Sequence, residues 1–213
     1  MSSHAAPKII EQDATLIVLE KPAGLSSVAA KPGSADPDTV EGLLQNDFPG
    51  AKLVHRLDLE TSGLMIAAKD ETTFQKLRAI WNSPNVVKKY TALVLGKTPP
   101  SGKISTPIAH HPRKKKKMVV GGKKARPAET LFKTLEYSGE YSLIEVQITT
   151  GVRHQIRVHL ASIGHPVAGD KIYNKTPGPF ERQCLHLSFL EILHPATGKI
   201  KKWRSVPHFC NSK

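Results

Sequence analysis

Residues His55–Leu64 read HRLDLETSGL, and an apolar run, Leu64–Ala68, continues from them. This order places one carboxylate, Asp58, two positions after an arginine and just before a small polar turn. The apolar run predicts a buried strand with Asp58 at its edge. On an extended strand Arg56 and Asp58 would point to the same face, and a carboxylate beside a permanent cation stays ionised and can act as a nucleophile. Taken alone, an Asp in this position more often forms a turn or caps a helix.

The bulk composition is that of a globular protein. The chain has 213 residues, of which 39% are apolar, and this is enough for a core. No run of about 18 apolar residues predicts a transmembrane helix, and residues 1–7 contain no apolar signal core. Cys184 and Cys210 form no CxxC pattern, so the sequence predicts neither a disulfide framework nor a structural zinc site and favours a reducing cytoplasm.

The net charge of +13 lies in one continuous segment. Between Thr72 and Ala128 there are 14 Lys and Arg and no Asp or Glu, whereas the rest of the chain has 17 basic and 18 acidic residues. Such a run is compatible with a solvated basic surface. It is equally compatible with a polyanion footprint, because cations that neutralise phosphates release condensed counterions. The run Lys114–Lys117 also permits a nuclear-localisation signal, for which nothing else in the sequence argues.

The order of elements predicts an α+β fold with a mainly antiparallel mixed sheet, because strands are many, helices are few and βαβ alternation is missing. We expect one catalytic domain over residues 8–207, with flexible termini at 1–7 and 208–213. Residues 26–38 predict a surface loop, and residues 110–126 a basic hairpin or loop. The predicted strands are 8–10, 15–19, 64–68, 86–95, 129–137, 142–149, 184–193 and 199–203. The predicted helices are 39–46, 71–82 with Asp70 as its N-cap, and one opened by Thr150-Gly151 with Ile156, Leu160 and Ile163 on its core face.

The decapeptide around Asp58 resembles the catalytic motif of the RluA-type pseudouridine synthases, which isomerise uridine in ribosomal and transfer RNA. Three further segments resemble other motifs of this family: Lys89-Tyr90, the basic run His111–Met118, and Thr150–Leu160 with the following Gly164–Asp170. The resemblance spans residues 8–206. It implies a single pseudouridine-synthase-like domain.

The resemblance implies three catalytic residues, namely Asp58 as the nucleophile, Tyr90 and Arg157. Tyr90 would pack against the target uracil or assist proton transfer, although a strand tyrosine is often only a core aromatic. Arg157 would pair with Asp58 and lower the pKa of its carboxyl group. Helical spacing would place Arg153 and Arg157 on one face of the helix. The alternative interpretation is that they are simply two surface arginines. Gly-Val-Arg-His here replaces the Gly-Arg-x-His of many members, so no family role is carried over to Arg153.

The resemblance also implies RNA contacts around the reacting base. Arg56 would enter the RNA helix and help to hold the target base out of the stack, because the glycosidic bond of a stacked uridine is inaccessible. It could instead be an ion-pair partner. The basic segment would grip phosphates, which positions the RNA but carries little sequence information. The expected substrate-binding residues are Arg56, His55, Arg113, Lys114, Lys115, Lys116, Lys117, Lys123, Lys124, Arg126 and His154, together with Arg153, whose role is left open.

The sequence therefore predicts isomerisation of specific uridines in structured RNA, an rRNA or tRNA stem-loop, by a monomer without a metal, a nucleotide cofactor or a membrane. Whether Asp58 attacks the ribose or the base is open. The alternative is a non-catalytic RNA-binding protein with the same fold, against which the presence of all three catalytic residues argues. A P-loop is excluded because Thr91 stands where its first Gly is needed. A nucleophile elbow around Ser62 is excluded because Glu60 stands in place of a Gly.

Overall fold

The computed structural model describes residues 5–30, 36–83 and 85–209. The described residues form two compact units: one comprises those up to Val86 together with Leu187–Val206, and the other comprises Val87–His186 with the described residues after Val206. The elements of the described part are, in chain order, β1 (Lys8–Gln12), β2 (Leu16–Lys21), α1 (Val40–Asp47), β3 (Lys52–Leu53), β4 (Ser62–Ala68), α2 (Glu71–Ile80), β5 (Val86–Leu95), β6 (Ser101–Ile104), β7 (Ile108–His110), β8 (Met118–Val120), β9 (Thr130–Ser138), β10 (Tyr141–Ile148), α3 (Gln155–Ser162), β11 (Leu185–Leu193) and β12 (Ile200–Arg204).

The first unit is built around β4, all seven residues of which are buried. β2 and β3 pair with β4 in the antiparallel sense, β1 extends the sheet beyond β2, and β12 pairs with β11, which neighbours β4. A strand that is covered on both faces needs apolar residues at successive positions, not only at alternate ones. The strand predicted at 64–68 is thereby confirmed.

Side-chain caps begin both helices of the first unit. The hydroxyl of Thr39 accepts a hydrogen bond from Gly42 N (3.0 Å) before α1, and the carboxylate of Asp70 accepts one from Thr73 N (2.8 Å) before α2. Each cap satisfies a backbone donor that has no partner within its helix. The predicted cap at Asp70 is confirmed, and Leu77 of α2 is fully buried.

The second unit contains an antiparallel sheet with the order β5-β10-β9-β6 and a separate hairpin of β7 and β8. Residues of β5 alternate between buried and partly buried, which is the pattern of a half-covered strand. Its bounds and the β9–β10 hairpin match the sequence prediction. The basic segment predicted as a hairpin or loop also forms a hairpin.

The start of α3 differs from the prediction. The helix begins at Gln155 instead of Thr150, and His154 has a positive φ of 55°. A left-handed residue cannot continue a right-handed helix, so Arg153 lies in an exposed turn while Arg157 lies buried within the helix. The expectation that these two arginines share a helix face is therefore wrong. The expectation of a core position for Ile163 is also wrong, because this residue follows the helix and is 41% exposed.

The α+β class with a mainly antiparallel sheet and a few helices is confirmed. A single catalytic domain over 8–207 stays a prediction. Residues 1–4 and 210–213 of the predicted flexible termini, and 31–35 of the predicted loop, lie outside the described residues. Within the described ranges, no helix is long and apolar enough to cross a membrane.

Candidate catalytic loop and RNA-binding hairpin

Asp58 lies in an irregular loop between β3 and β4. Thr61 N donates a hydrogen bond to Asp58 O (3.1 Å) and closes a turn. The side chain of Asp58 is half-buried and that of Arg56 is exposed. Because β4 begins only at Ser62, the predicted placement of Asp58 at the edge of this strand is wrong, and the extended-strand argument for a shared face does not apply. We call residues 55–61 the HRLD loop.

A fully buried ammonium group holds the loop just after Asp58. Nζ of Lys21 donates to the carbonyl oxygens of Pro22 (2.8 Å), Leu25 (2.7 Å) and Leu59 (3.0 Å). Gly24 N donates to the same Leu59 oxygen (2.9 Å). A buried ammonium must keep its donors bonded, and charge-assisted bonds are the stronger kind. Lys21 therefore fixes the residue that follows Asp58.

Ser27 and His55 hold the loop before Asp58. The Ser27 hydroxyl donates to Leu57 O (2.9 Å) and accepts from Leu57 N (3.0 Å). Nε2 of His55 accepts from Ile66 N (3.2 Å), and the ring stacks on Trp81 with 4.3 Å between centroids. These contacts give His55 an anchoring role inside the protein. Its contact with RNA stays a prediction.

The glycine of the Thr-Ser-Gly segment that ends the motif is required for a steric reason. Gly63 has a φ of 121°, and a Cβ built on it would lie 2.5 Å from both N and O of Leu187. β4 and the backbone of β11 therefore approach each other closely at this point, which only glycine permits.

Two neighbouring residues of the second predicted motif face opposite sides of β5. Tyr90 is buried, whereas Lys89 is half-exposed and forms an ion pair with Glu145 (2.9 Å). Lys88 shares the buried face with Tyr90, and burial lowers the pKa of its ammonium group to about 8. The Lys89-Tyr90 pair thus consists of one surface charge and one inward aromatic ring, and Lys88 adds a buried cation that the sequence did not indicate.

Arg157 forms a buried bidentate pair with Asp170. Nε of Arg157 lies 2.7 Å from Oδ2 of Asp170, and Nη2 lies 2.9 Å from Oδ1. Oδ1 also accepts from Ile172 N (2.9 Å) and Tyr173 N (3.2 Å). Burial acts to raise the pKa of Asp170, but the Arg157 guanidinium and the two backbone donors outweigh it and hold the pKa below its usual value. The predicted pairing of Arg157 with Asp58 stays a prediction.

The basic hairpin, residues 108–120, presents its lysines on an ordered turn. Nδ1 of His111 accepts from Arg113 N and from Lys114 N (3.1 Å each), and Lys117 N donates to Lys114 O (2.9 Å). The side chains of residues 113–116 are exposed, and that of Lys117 is half-buried. Lys123, Lys124 and Arg126 are exposed beyond β8. Apart from Lys117, the cations of this segment that we predict to bind phosphates are therefore open to solvent, and their proposed role requires this exposure.

A family model described as RNA pseudouridylate synthase matches residues 15–162. The chain belongs to this family. A relative from Nitrosomonas europaea, named ribosomal large subunit pseudouridine synthase D, is 39% identical over 93% of this chain and 61% of its own length. A relative of the same name from Pseudomonas aeruginosa is 36% identical over 93% of this chain and 67% of its own length. Another from Escherichia coli K12 is 32% identical over 92% of this chain and 66% of its own length. The resemblance to the RluA-type synthases is thereby confirmed, and the chain spans about two thirds or less of the length of these relatives.

Solved structures of other pseudouridylate synthase family members show the same fold. Human RNA pseudouridylate synthase domain containing 1 superposes with a TM-score of 0.79 at 24% identity and covers 100% of this chain and 94% of its own. Human RNA pseudouridylate synthase domain containing 4 superposes with a TM-score of 0.75 at 24% identity, and the superposition covers 94% of this chain and 88% of the human chain. At this identity the likeness concerns the fold alone.

Three supporting residues of this pseudouridylate synthase family member escaped the sequence prediction: Lys21, Ser27 and Tyr173. Lys21 belongs to the stretch Lys-Pro-Ala-Gly, which the sequence analysis interpreted only as the end of a strand. The position of a lysine between a buried strand and a Pro-Gly turn was the signal that could have indicated its role. Ser27 carried no signal. Tyr173 follows Asp170 by three residues, directly after the last quoted motif. Across the described residues, no three His, Cys, Asp or Glu side chains come together in a metal-binding arrangement.

Proposed function

We propose that this protein isomerises uridine to pseudouridine in structured RNA with Asp58 as its nucleophile. The observation that carries the proposal is the HRLD loop of a family member: Ser27 and Lys21 fix the backbone on both sides of Asp58, while its side chain stays half exposed. A nucleophile must be held within a few tenths of an ångström of its productive position and must still reach the substrate. The bonds from Ser27 and Lys21 to the neighbouring backbone and the partial exposure of Asp58 support this proposal.

The reaction needs no change of oxidation state. The target uridine is flipped out of its helix, and the Asp58 carboxylate attacks C1′ as the N1–C1′ bond breaks, so that the bonding pair leaves with the uracil. The detached uracil rotates and bonds to C1′ through C5, the carboxylate is released, and the proton on C5 moves to N1. In the alternative sequence the carboxylate first adds to the uracil ring; the N1–C1′ bond breaks, C5 of the same ring bonds to C1′, and elimination of the carboxylate restores the ring as the proton on C5 moves to N1.

Other residues receive proposed roles in this reaction. Tyr90 offers a buried aromatic face to the base, Arg157 supplies a permanent cation for the Asp58 carboxylate, and exposed Arg56 occupies the space of the flipped base. The exposed cations of the basic hairpin bind phosphates. Arg153 and His154, beside α3, are proposed as further RNA contacts.

Large-subunit ribosomal RNA is the substrate that we propose first, because the similar relatives are named for it. Transfer RNA is a second candidate through the resemblance of the motifs. We place the protein in the cytoplasm as a monomer, where a reducing environment suits the buried thiol of Cys184.

The test compares Asp58→Asn with wild type. Asn keeps the shape of the side chain but cannot act as a carboxylate nucleophile, so we expect the variant to add no pseudouridine to large-subunit rRNA purified from a strain that lacks the gene. RNA affinity should stay within about twofold, because a single partly exposed charge contributes little to binding. Asp47→Asn, at an exposed helix end, is the matched control and should leave the product yield unchanged. Near-normal yield with Asp58→Asn would refute the nucleophile assignment.

The non-catalytic alternative makes a different prediction for the cell. If the protein only binds RNA, pseudouridine maps of total RNA from the deletion strain and from its parent will be identical. A missing modified position in the deletion strain would identify the target uridine.

A further inference from the structure

Tyr173 lies where the basic hairpin meets the start of α3. Its hydroxyl accepts a hydrogen bond from Met118 N (2.8 Å) in β8, and it lies 2.9 Å from Nδ1 of His154. A tyrosine hydroxyl has one proton and two acceptor sites, so it can accept from the backbone and bond to the imidazole at the same time. One oxygen atom therefore joins the hairpin to the residue that precedes α3.

The ring of Tyr173 lies against two cations. The guanidinium carbon of Arg157 is 5.2 Å from the ring centroid, and Nζ of Lys117 is 5.3 Å from it. Both distances are within the range of about 6 Å over which the face of a ring attracts a cation. The same side chain thus contacts a lysine of the hairpin and the arginine that we propose for the reaction.

The backbone of Tyr173 is tied to the same arginine. Tyr173 N donates to Oδ1 of Asp170 (3.2 Å), and this oxygen also accepts from Nη2 of Arg157 (2.9 Å). Asp170 is fully buried, so its interactions are poorly screened. One carboxylate therefore fixes the positions of both Arg157 and Tyr173.

Apolar packing supports this junction independently of the hydroxyl. Ile108 and Met118 of the hairpin form a buried cluster with Val158 of α3, and Tyr173 packs against it. A Tyr173→Phe change keeps the ring and this packing. It removes only the oxygen that links Met118 to His154.

We propose that Tyr173 is a positioning residue through which RNA bound at the hairpin sets the orientation of Arg157. This inference rests on the proposed function, since it assumes that Arg157 takes part in the reaction. RNA that binds Lys117 and its neighbours shifts these residues, and they contact the ring and the hydroxyl of Tyr173. The shared carboxylate of Asp170 and the ring carry this effect to the guanidinium.

The first arm of the test separates reaction rate from binding. With large-subunit rRNA from the deletion strain, Tyr173→Phe should lower the single-turnover rate about tenfold, the effect of a hydrogen bond worth about 1.4 kcal/mol. RNA affinity and its dependence on salt should stay near wild type, because no cation is removed. Tyr137→Phe, which loses the hydroxyl bond to Thr98 O, is the matched control and should change neither quantity.

A second variant keeps the test valid if Tyr173→Phe lowers the melting temperature. His154→Asn removes the imidazole that bonds to the Tyr173 hydroxyl, and asparagine tolerates the positive φ at this position. We expect a smaller fall in the single-turnover rate, measured at saturating RNA so that the loss of a proposed RNA contact does not enter. An unchanged rate in both variants, or a rate loss that follows entirely from weaker RNA binding, would overturn the inference.

The second arm does not depend on catalysis. Amide hydrogen exchange is measured with and without poly(U), which offers the phosphates of RNA to the hairpin. In wild type, poly(U) should slow exchange in residues 108–120 and also in 155–162; in Tyr173→Phe the slowing should remain in the hairpin and be lost from α3. Equal slowing of α3 in both proteins would refute the coupling. A wild type that couples in this way but makes no pseudouridine would refute the proposed function alone.

Discussion

At the scale of single residues, side chains that carry no catalytic role determine where Asp58 lies. Lys21 reaches the carbonyl of Leu59 across 38 positions of sequence, and Ser27 bonds to both backbone groups of Leu57. The HRLD sequence itself indicated the residue that we propose as the nucleophile but placed it on a strand. Long-range bonds from a side chain to the backbone leave no periodic pattern, so a local reading of the sequence could not find them.

The cost of losing the Lys21 ammonium can be measured. Lys21→Met would take this donor from three carbonyl oxygens, of which the bond to Leu25 O is buried and those to Pro22 O and Leu59 O are partly buried, and a buried group left unsatisfied costs about 1–3 kcal/mol. Since the surrounding backbone can relax in part, we expect the free energy of unfolding in urea to fall by about 2–5 kcal/mol. Lys69→Met, which removes an exposed bond to Gln12, is the control and should change it by less than about 0.5 kcal/mol. Equal unfolding midpoints for the two variants would contradict the anchoring role.

At the scale of elements, the sequence predicted those whose pattern is local. The run of β-branched and aromatic residues gave the bounds of β5 and the cap at Asp70 gave the start of α2, whereas α3 begins later than predicted because His154 adopts a positive φ. This conformation is usually marked by glycine, and a histidine gives no warning of it. The basic hairpin was recognised by its charge, but the bonds from Arg113 and Lys114 to the His111 ring required the structure.

The hairpin makes a prediction about salt. Changing Lys114–Lys117 to serine should weaken binding to large-subunit rRNA and flatten the plot of log affinity against log salt, by about 0.7–0.9 in slope for each phosphate that is no longer neutralised. The measurement is filter binding between about 50 and 200 mM salt. A control with four serines in place of lysines of the first unit (Lys52, Lys199, Lys201 and Lys202) removes the same charge and should leave the slope closer to wild type. The same slope change in both variants would mean that the hairpin has no special part in binding.

At the scale of the whole molecule, residues far apart in sequence hold the two ends of the first unit together. Asp13, after β1, lies 2.8 Å from Nε2 of His194, at the end of β11. Burial acts to raise the pKa of Asp13, but the N–H groups of Thr15 and Leu16, the His194 ring and the Thr15 hydroxyl outweigh it and hold the pKa far below its usual value. The sequence predicted the α+β class from element order alone. It could not predict this pair, because 181 positions separate its members.

This pair should make the free energy of unfolding depend on pH in the acid range. Because the folded-state pKa of Asp13 is depressed, its contribution is fully present above the unfolded value of about 3.9 and is lost as the pH falls through the folded-state pKa. Asp13→Asn should therefore unfold at a lower urea concentration than wild type at pH 7, and the difference should shrink below about pH 4. Asp38→Asn, at an exposed position, is the control. A difference between Asp13→Asn and wild type that is as large at pH 3 as at pH 7 would contradict this account.

The turn that His111 organises also bears on the thermodynamics of association. A disordered lysine tail must lose backbone freedom when it binds, at about 1–2 kcal/mol for each residue that becomes ordered. In this protein residues 111–117 already form a turn through bonds within the hairpin. In the proposed binding of phosphates, only the lysine side chains would still have to lose freedom. Binding of RNA by the hairpin would then need no prior folding, and more of the free energy released with the counterions would remain as affinity.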